Sequence, residues 1–339
     1  MAQTDRDRKA QGKTAETPPI RVKGLTKYYG DVKGVESLSF EVRKGEIFGF
    51  LGPNGAGKST AIRTLLGFLK PTSGEASLLG HDVFDRRELR EVKKRIGHVP
   101  GSLGFYEKLT GRDLLDYYGD LKGNDRRGEL LDLFGFPLDR RIKEYSRGNR
   151  QKLALVQAFM HDPDLVVMDE PTAGLDPLMQ NSLYDFLESE VEDGLSVFFS
   201  SHILSEVRRI CDRVAIIRKG EVVALEEIET LLRKSGKVVR LRLRDGATPE
   251  EVVSGLQGVT NPSVDDEGYT EFVLKGEYDS LIDRLSEHEI DDIEIREASL
   301  DDVFMHFYTD TEDDTDTGID SRTEADRNEA ATSGGEDGV

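Results

Sequence analysis

The sequence predicts an α/β fold built on a parallel sheet, followed by a smaller α+β unit, and three observations predict it. Continuous apolar or β-branched runs at Ile47–Leu51, 165–168, 197–200 and 214–217 are what strands buried on both faces require. Amphipathic stretches separate these runs, with Leu153, Val156 and Met160 at helical spacing after a Ser-rich turn. A glycine-rich turn over 52–60 joins the first run to a helical pattern at Ala61, Ile62, Leu65 and Leu66. Strand, turn and helix in that order are the unit of a sheet with helices packed on it.

Two blocks follow one another between polar ends. Residues 1–19 are polar and finish in Pro18-Pro19, and 309–339 hold eleven acidic residues against Arg322 and Arg327, so both ends are expected to be disordered. The α/β block spans 20–234. The second block, 237–308, opens with an alternating strand at 238–243, and Thr248-Pro249 starts a helix with an N-cap and an early proline. Strands at Val259–Val264 and Thr270–Leu274, a helix at 277–287, a strand at 292–297 and a short helix from Ser299 complete it. The order β-α-β-β-α-β is that of a ferredoxin-like unit. No internal repeat is visible.

Composition removes several function classes. The chain has 339 residues; 46 Lys and Arg against 66 Asp and Glu leave a net charge of −20. Phosphate contacts to nucleic acid need Lys and Arg, so a general nucleic-acid binder is disfavoured. The same acidity disfavours direct adhesion to anionic lipid, so membrane contact is expected only through a protein partner. The apolar runs are far shorter than the roughly 18–20 residues a helix needs to cross a bilayer. The N-terminus shows no apolar h-region, so no secretory signal is read there. Cys211 is the sole cysteine, fits a reducing cytoplasm, and reads as a buried small apolar residue. Acidity spread beyond the tail suggests a halophilic source, because charge repulsion is screened in high salt.

The strongest chemical signal is Gly52-Pro53-Asn54-Gly55-Ala56-Gly57-Lys58-Ser59-Thr60, which matches G-x-x-x-x-G-K-[ST] between a strand and a helix. Glycines let successive backbone N–H groups converge on phosphate oxygens, and the helix N-terminus adds its positive dipole end. Lys58 is expected to reach the β- and γ-phosphates of a nucleotide and the Ser59 hydroxyl to ligate Mg²⁺. The run at 165–168 ends in Asp169-Glu170, two carboxylates at the carboxyl end of a strand, where open α/β sheets bind ligands. Asp169 is the candidate Mg²⁺ ligand. Glu170 is the candidate base that orients and deprotonates an attacking water.

Three neighbouring motifs complete a pattern: Tyr145-Ser146-Arg147-Gly148-Asn149-Arg150-Gln151 upstream, Thr172-Ala173-Gly174-Leu175-Asp176 downstream, and Ser200-Ser201-His202 after the next strand. With these five motifs in this order, residues 20–234 resemble the ATP-binding cassette (ABC) ATPases. The resemblance implies a P-loop ATPase core with an antiparallel β-subdomain and a helical arm at about 103–160. It implies Tyr29 as the aromatic stacked on adenine, with Tyr28 as the competing candidate. Ser146, Arg147, Gly148 and Asn149 would be a signature facing ATP on a second copy of the chain, Asp176 the D-loop aspartate and His202 the switch histidine that touches the γ-phosphate. ATP and Mg²⁺ are the implied ligands, and a separate transmembrane permease and a second copy of the chain the implied partners, at the cytoplasmic face of the cell membrane. The segment 297–304, Glu-Ala-Ser-Leu-Asp-Asp-Val-Phe, resembles the ending of an extension found on drug- and antibiotic-exporting ABC ATPases.

Three residues depart from the family pattern. Arg147 stands at the first signature glycine and Asn149 at its glutamine. Gly101 stands where the family places a glutamine that contacts Mg²⁺, the water and the transmembrane partner. Ser102 or a water takes over that contact, or the coupling is altered. A glutamine at 101 is expected to raise turnover, unless the Pro100-Gly101 turn needs positive φ. The alternatives to a transporter subunit are a soluble non-transport ABC ATPase and a regulatory, weakly hydrolysing cassette.

Overall fold

A computed structural model describes residues 17–234, 236–244, 247–265, 267–275 and 278–297. The predicted helix from Ser299, the 297–304 ending beyond its first residue, and the acidic tail lie outside the described residues. So do positions 1–16 of the N-terminal segment, while Pro19 already accepts a hydrogen bond from the Leu79 amide at 2.8 Å.

The main sheet carries the site. Its strands are β3 (Ile47–Leu51), β6 (Ile96–Val99), β7 (Leu165–Asp169), β8 (Ser196–Ser201), β9 (Arg213–Arg218) and β10 (Glu221–Glu227), in the order β10-β9-β3-β8-β7-β6. All neighbours are parallel except the β9–β10 hairpin. Alternate residues feed two cores. Phe48, Phe50, Val167 and Phe198 enter one, while Ile47, Leu51, Val166, Met168 and Phe199 enter the other. Burial on both faces explains why these strands read as unbroken apolar runs rather than alternating ones.

A second sheet in the order β2-β1-β4-β5 is antiparallel and comes from β1 (Ile20–Tyr29), β2 (Val32–Val42), β4 (Ser73–Leu78) and β5 (His81–Asp82). Phe40 of β2 packs on Phe48, Phe50 and Phe198 with ring centroids 5.6–5.9 Å apart. Such ring pairs each add about 0.5–1.5 kcal/mol beyond area burial, which fixes this sheet against the strand that leads into the phosphate loop.

Helix α1 (Lys58–Leu65) follows β3, and α2 (Arg86–Val92) precedes β6. Between β6 and β7 the chain forms α3 (Gly111–Lys122), α4 (Arg127–Phe134) and α5 (Arg147–Phe159). Thr110 and Asp113 close a reciprocal capping box at the start of α3, and Ser146 caps α5 by accepting from the Asn149 amide at 3.2 Å. Helices α6 (Pro177–Glu192) and α7 (Leu204–Ile210) flank β8, and α8 (Ile228–Lys234) ends the block.

Beyond it lie β11 (Lys237–Leu243), α9 (Pro249–Val253), β12 (Val259–Val264), β13 (Thr270–Leu274), α10 (Tyr278–Leu285) and β14 (Ile290–Glu297). Their strands make an antiparallel sheet in the order β12-β13-β11-β14. Val239, Leu241, Phe272 and Leu274 form its core with Val252, Leu281 and Leu285 from the two helices. Cys211 is buried against Gly49, where an added Cβ would lie 3.1 Å from its Sγ, and burial pushes its thiol pKa up.

Candidate functional site

Four adjacent strands end at one place. Leu51 of β3 pairs with Ser201 of β8, Asp169 of β7 pairs with Ser200, and Val99 of β6 pairs with Met168. Gly52, Glu170, His202 and Pro100 are therefore the first residues past four neighbouring carboxyl ends. The Gly52 amide donates to Ser201 O at 3.3 Å and the Glu170 amide to Ser200 O at 3.0 Å, so hydrogen bonds lock the loops side by side.

The 52–60 loop is shaped by backbone crowding. A Cβ at Gly52 would sit 2.4 Å from Ile217 O, and one at Gly57 2.7 Å from Gly34 O. Gly55 and Gly57 have φ of 82° and 106°, the region open to glycine. Lys58 begins α1 and is buried; its Nζ donates to Gly52 O at 2.7 Å and Pro53 O at 3.1 Å. Burial lowers its pKa, and the carboxylates of Glu170 and Asp169 oppose that shift.

Ser59 and Asp169 meet directly. The Ser59 hydroxyl donates to Asp169 Oδ2 at 2.8 Å, and Ser200 donates to Oδ1 at 2.8 Å. Glu170 Oε1 lies 3.6 Å from Lys58 Nζ and 3.0 Å from His202 Nδ1. Glu170 holds φ at 51°, an uncommon conformation for a residue with a Cβ and one found where surrounding structure imposes it.

Tyr28 and Tyr29 are separated by their surroundings. The Tyr28 hydroxyl donates to Glu36 Oε1 at 2.9 Å, whereas Tyr29 is 46% exposed. A Cβ on Gly34 would touch both the Tyr29 ring edge and the Thr60 methyl at 3.0 Å, so the exposed ring stands beside the start of α1.

Ser146 to Asn149 and Asp176 are gathered in a second place. A Cβ at Gly148 would meet Gly174 O at 2.9 Å, and one at Gly174 would meet Arg147 Cγ at 2.7 Å. Asp176 caps α6 by accepting from the Met179 amide at 3.0 Å. Among the described residues, no hydrogen bond or ion pair joins this group to the phosphate loop.

Gly101 has no positive φ, so the alternative of a turn that only glycine can make does not hold. Distance is what keeps the position small. A Cβ there would lie 3.0 Å from Asp169 Oδ2 and 3.3 Å from Asp169 O. Gly101 and Arg147, two of the three departures from the family pattern, line one cavity of about 220 Å³ with Gln151, whose Nε2 donates to Pro171 O at 2.7 Å.

Sequence reasoning placed Ser200 in a motif but gave it no role, and it missed Glu206. Buried Glu206 accepts from Thr172 and Ser201 at 2.6 Å each, tying the loop after Glu170 to the loop before His202. Nothing in the local sequence distinguishes it from a surface glutamate at helical spacing.

The residues fit a magnesium nucleotide. The glycine cradle leaves backbone at its rim, and a hydroxyl beside a carboxylate is the hard oxygen pair that Mg²⁺ takes along with phosphate oxygens. Among the described residues no cluster of three or more His, Cys, Asp or Glu could hold an ion by itself.

Comparison with known proteins decides the family. Residues 35–173 match the ABC transporter family model. The chain is 37% identical over 234 residues to the bacitracin transport ATP-binding protein BcrA of Bacillus licheniformis, covering 67% of this chain and 75% of the relative. The chain belongs to the ABC transporter ATP-binding proteins. Another ABC relative, the daunorubicin/doxorubicin resistance ATP-binding protein DrrA of Streptomyces peucetius, is 38% identical, with 73% of this chain and 78% of the relative covered. An ABC transporter ATP-binding subunit of known structure superposes with a TM-score of 0.59 at 31% identity, covering 64% of this chain and 92% of that one. A dimeric bacterial ABC cassette shares the fold, with a TM-score of 0.57 at 24% identity, covering 62% and 98%. As an ABC ATPase the chain binds and hydrolyses ATP.

Proposed function

We infer that this chain energises export through a separately encoded permease by hydrolysing MgATP at the ends of β3, β7 and β8. The observation that carries the reading is the contact set Ser59–Asp169, Lys58–Glu170 and Glu170–His202, which puts cation, metal-ligand oxygens and a candidate base within one loop cluster. The names of the two antibiotic-linked relatives support export as the direction. Among the described residues no helix is long and apolar enough to cross a membrane, so a permease on another chain supplies the path.

In this reading the loop amides and Lys58 hold the β- and γ-phosphates, and Tyr29 stacks on the adenine. Ser59 and Asp169 would hold Mg²⁺, which when bound neutralises phosphate charge. Glu170 accepts a proton from the attacking water, and His202 fixes the Glu170 carboxylate and the γ-phosphate relative to one another. Ser146, Arg147, Gly148, Asn149 and Asp176 stand apart from the phosphate loop, which suits a role across a dimer, facing ATP on a second copy. The element order β-α-β-β-α-β over the described part of 237–308 supports reading that block as a ferredoxin-like accessory domain. The protein would sit at the cytoplasmic membrane face through its permease, in a salt-rich cell. Co-expression with a six-span ABC permease tests the assignment. A stable complex whose ATP hydrolysis responds to transported drug supports it, and co-purification with ribosomes instead contradicts it.

A further inference from the structure

Strands β7 and β8 pair only as far as Asp169 and Ser200, and the last backbone hydrogen bond between them runs from the Glu170 amide to Ser200 O. Glu170 and His202 stand just past that ladder, on two loops that the sheet no longer joins. Among the described residues no backbone hydrogen bond links 171–174 to 201–203. Glu206 of α7 spans the gap. Its Oε1 accepts from the Thr172 hydroxyl and its Oε2 from the Ser201 hydroxyl, each at 2.6 Å.

A carboxylate is an expensive choice for this place. Glu206 is 6% exposed and, among the described residues, forms no ion pair. Tyr184 of α6 stands against it, and burial, followed by the Glu206 charge, raises the Tyr184 pKa. Burying a charge with no cation beside it is unfavourable unless hydrogen bonds replace its water. What the carboxylate offers in return is two acceptor oxygens on one plane. Its charge-assisted bonds are also shorter and roughly twice as strong as neutral ones.

Each bond lands beside a residue of the site. Thr172 is two positions past Glu170, and the Ala173 amide donates to Glu170 O at 3.2 Å, so this loop turns tightly back on the candidate base. Ser201 directly precedes His202, and its hydroxyl also accepts from the Ile203 amide at 2.9 Å. The histidine is thus held from both sides.

We propose that Glu206 is a positioning residue for hydrolysis. By holding Thr172 and Ser201 on one carboxylate, it sets the 3.0 Å approach of His202 Nδ1 to Glu170 Oε1. It acts through that pair. The inference rests on the reading of Glu170 as base and His202 as its partner.

A double-mutant cycle in the full chain tests it. Glu206→Gln keeps the shape but leaves one acceptor oxygen for two hydroxyls, and should lower kcat about ten-fold with KM for ATP nearly unchanged. In a His202→Ala background the same substitution should cost less than about two-fold, because the pair it positions is already gone. A side chain that only supports the fold would cost the same in both backgrounds. Thr172→Val should reproduce Glu206→Gln in both, and Thr172→Ser, which keeps the hydroxyl, should recover most of the lost turnover. That second pair carries the cycle if melting temperature and ATP binding show that Glu206→Gln does not fold. Equal losses in the two backgrounds, wild-type turnover by the folded Glu206→Gln protein, or a loss confined to KM overturns the positioning role while leaving Glu170 and His202 in place. A His202→Ala protein at the wild-type rate overturns the reading beneath it, and the positioning role with it.

Discussion

His202 Nδ1 stands 3.0 Å from Glu170 Oε1, the same oxygen that lies 3.6 Å from Lys58 Nζ. One carboxylate oxygen is thus shared between the strand-end histidine and the phosphate-loop lysine. His202 is the more exposed partner, so its loss leaves the fold intact while releasing Glu170. His202→Ala is expected to lower turnover about 10²-fold with ATP affinity nearly unchanged. Steady-state phosphate release and nucleotide titration check it; a turnover within two-fold of wild type would remove His202 from the positioning of Glu170.

Gly101 gives a prediction opposite to the one its sequence suggests. A family-like glutamine should restore a contact, yet its Cβ would sit 3.0 Å from an Asp169 oxygen already fixed by Ser59 and 3.3 Å from backbone. Overpacking of that kind costs about 1–3 kcal/mol. Gly101→Ala and Gly101→Gln should both lower turnover, by roughly five- to a hundred-fold. A faster Gly101→Gln enzyme would show that the missing side chain, not the close approach, limits the rate.

His161 sets a pH dependence of stability. Burial first, and Lys122 second, push its pKa from 6.5 down to about 4. Between these values the unfolded chain binds the proton and the folded chain does not, so stability falls as pH drops from about 6.5 to 4. The total is at most roughly 3 kcal/mol. His161→Phe should flatten the fall in melting temperature over that window. Parallel curves for the two proteins would contradict it.

Salt tests the surface. Removing it unscreens 20 net negative charges, so melting temperature should climb steeply from low to molar KCl. A flat or falling curve counts against a high-salt adaptation.

Much of this was legible in the sequence where one physical cause dominates. Burial on both faces made β3, β7, β8 and β9 continuous apolar runs, and the phosphate loop needs its glycines at fixed spacing. The strands β1 and β2 were obscured because their pairing slips register between Val22 and Leu25 and again near Lys27, which breaks the alternation that marks a strand. Ser200 and Glu206 looked ordinary because their partners are distant in sequence. The same holds for His161 and Lys122, which line a cavity that draws on segments from Phe68 to His161. Glu170's left-handed backbone has no signal in residue type at all.

The central claim is that Glu170 is the base for hydrolysis, and Glu170→Gln tests it most directly. The amide cannot take a proton from water, while Lys58, Ser59 and Asp169 are untouched. Phosphate release should fall by about 10²–10⁴-fold, with ATP still bound and the chain eluting as a dimer in MgATP. A Glu170→Gln protein that hydrolyses ATP at the wild-type rate would contradict the account.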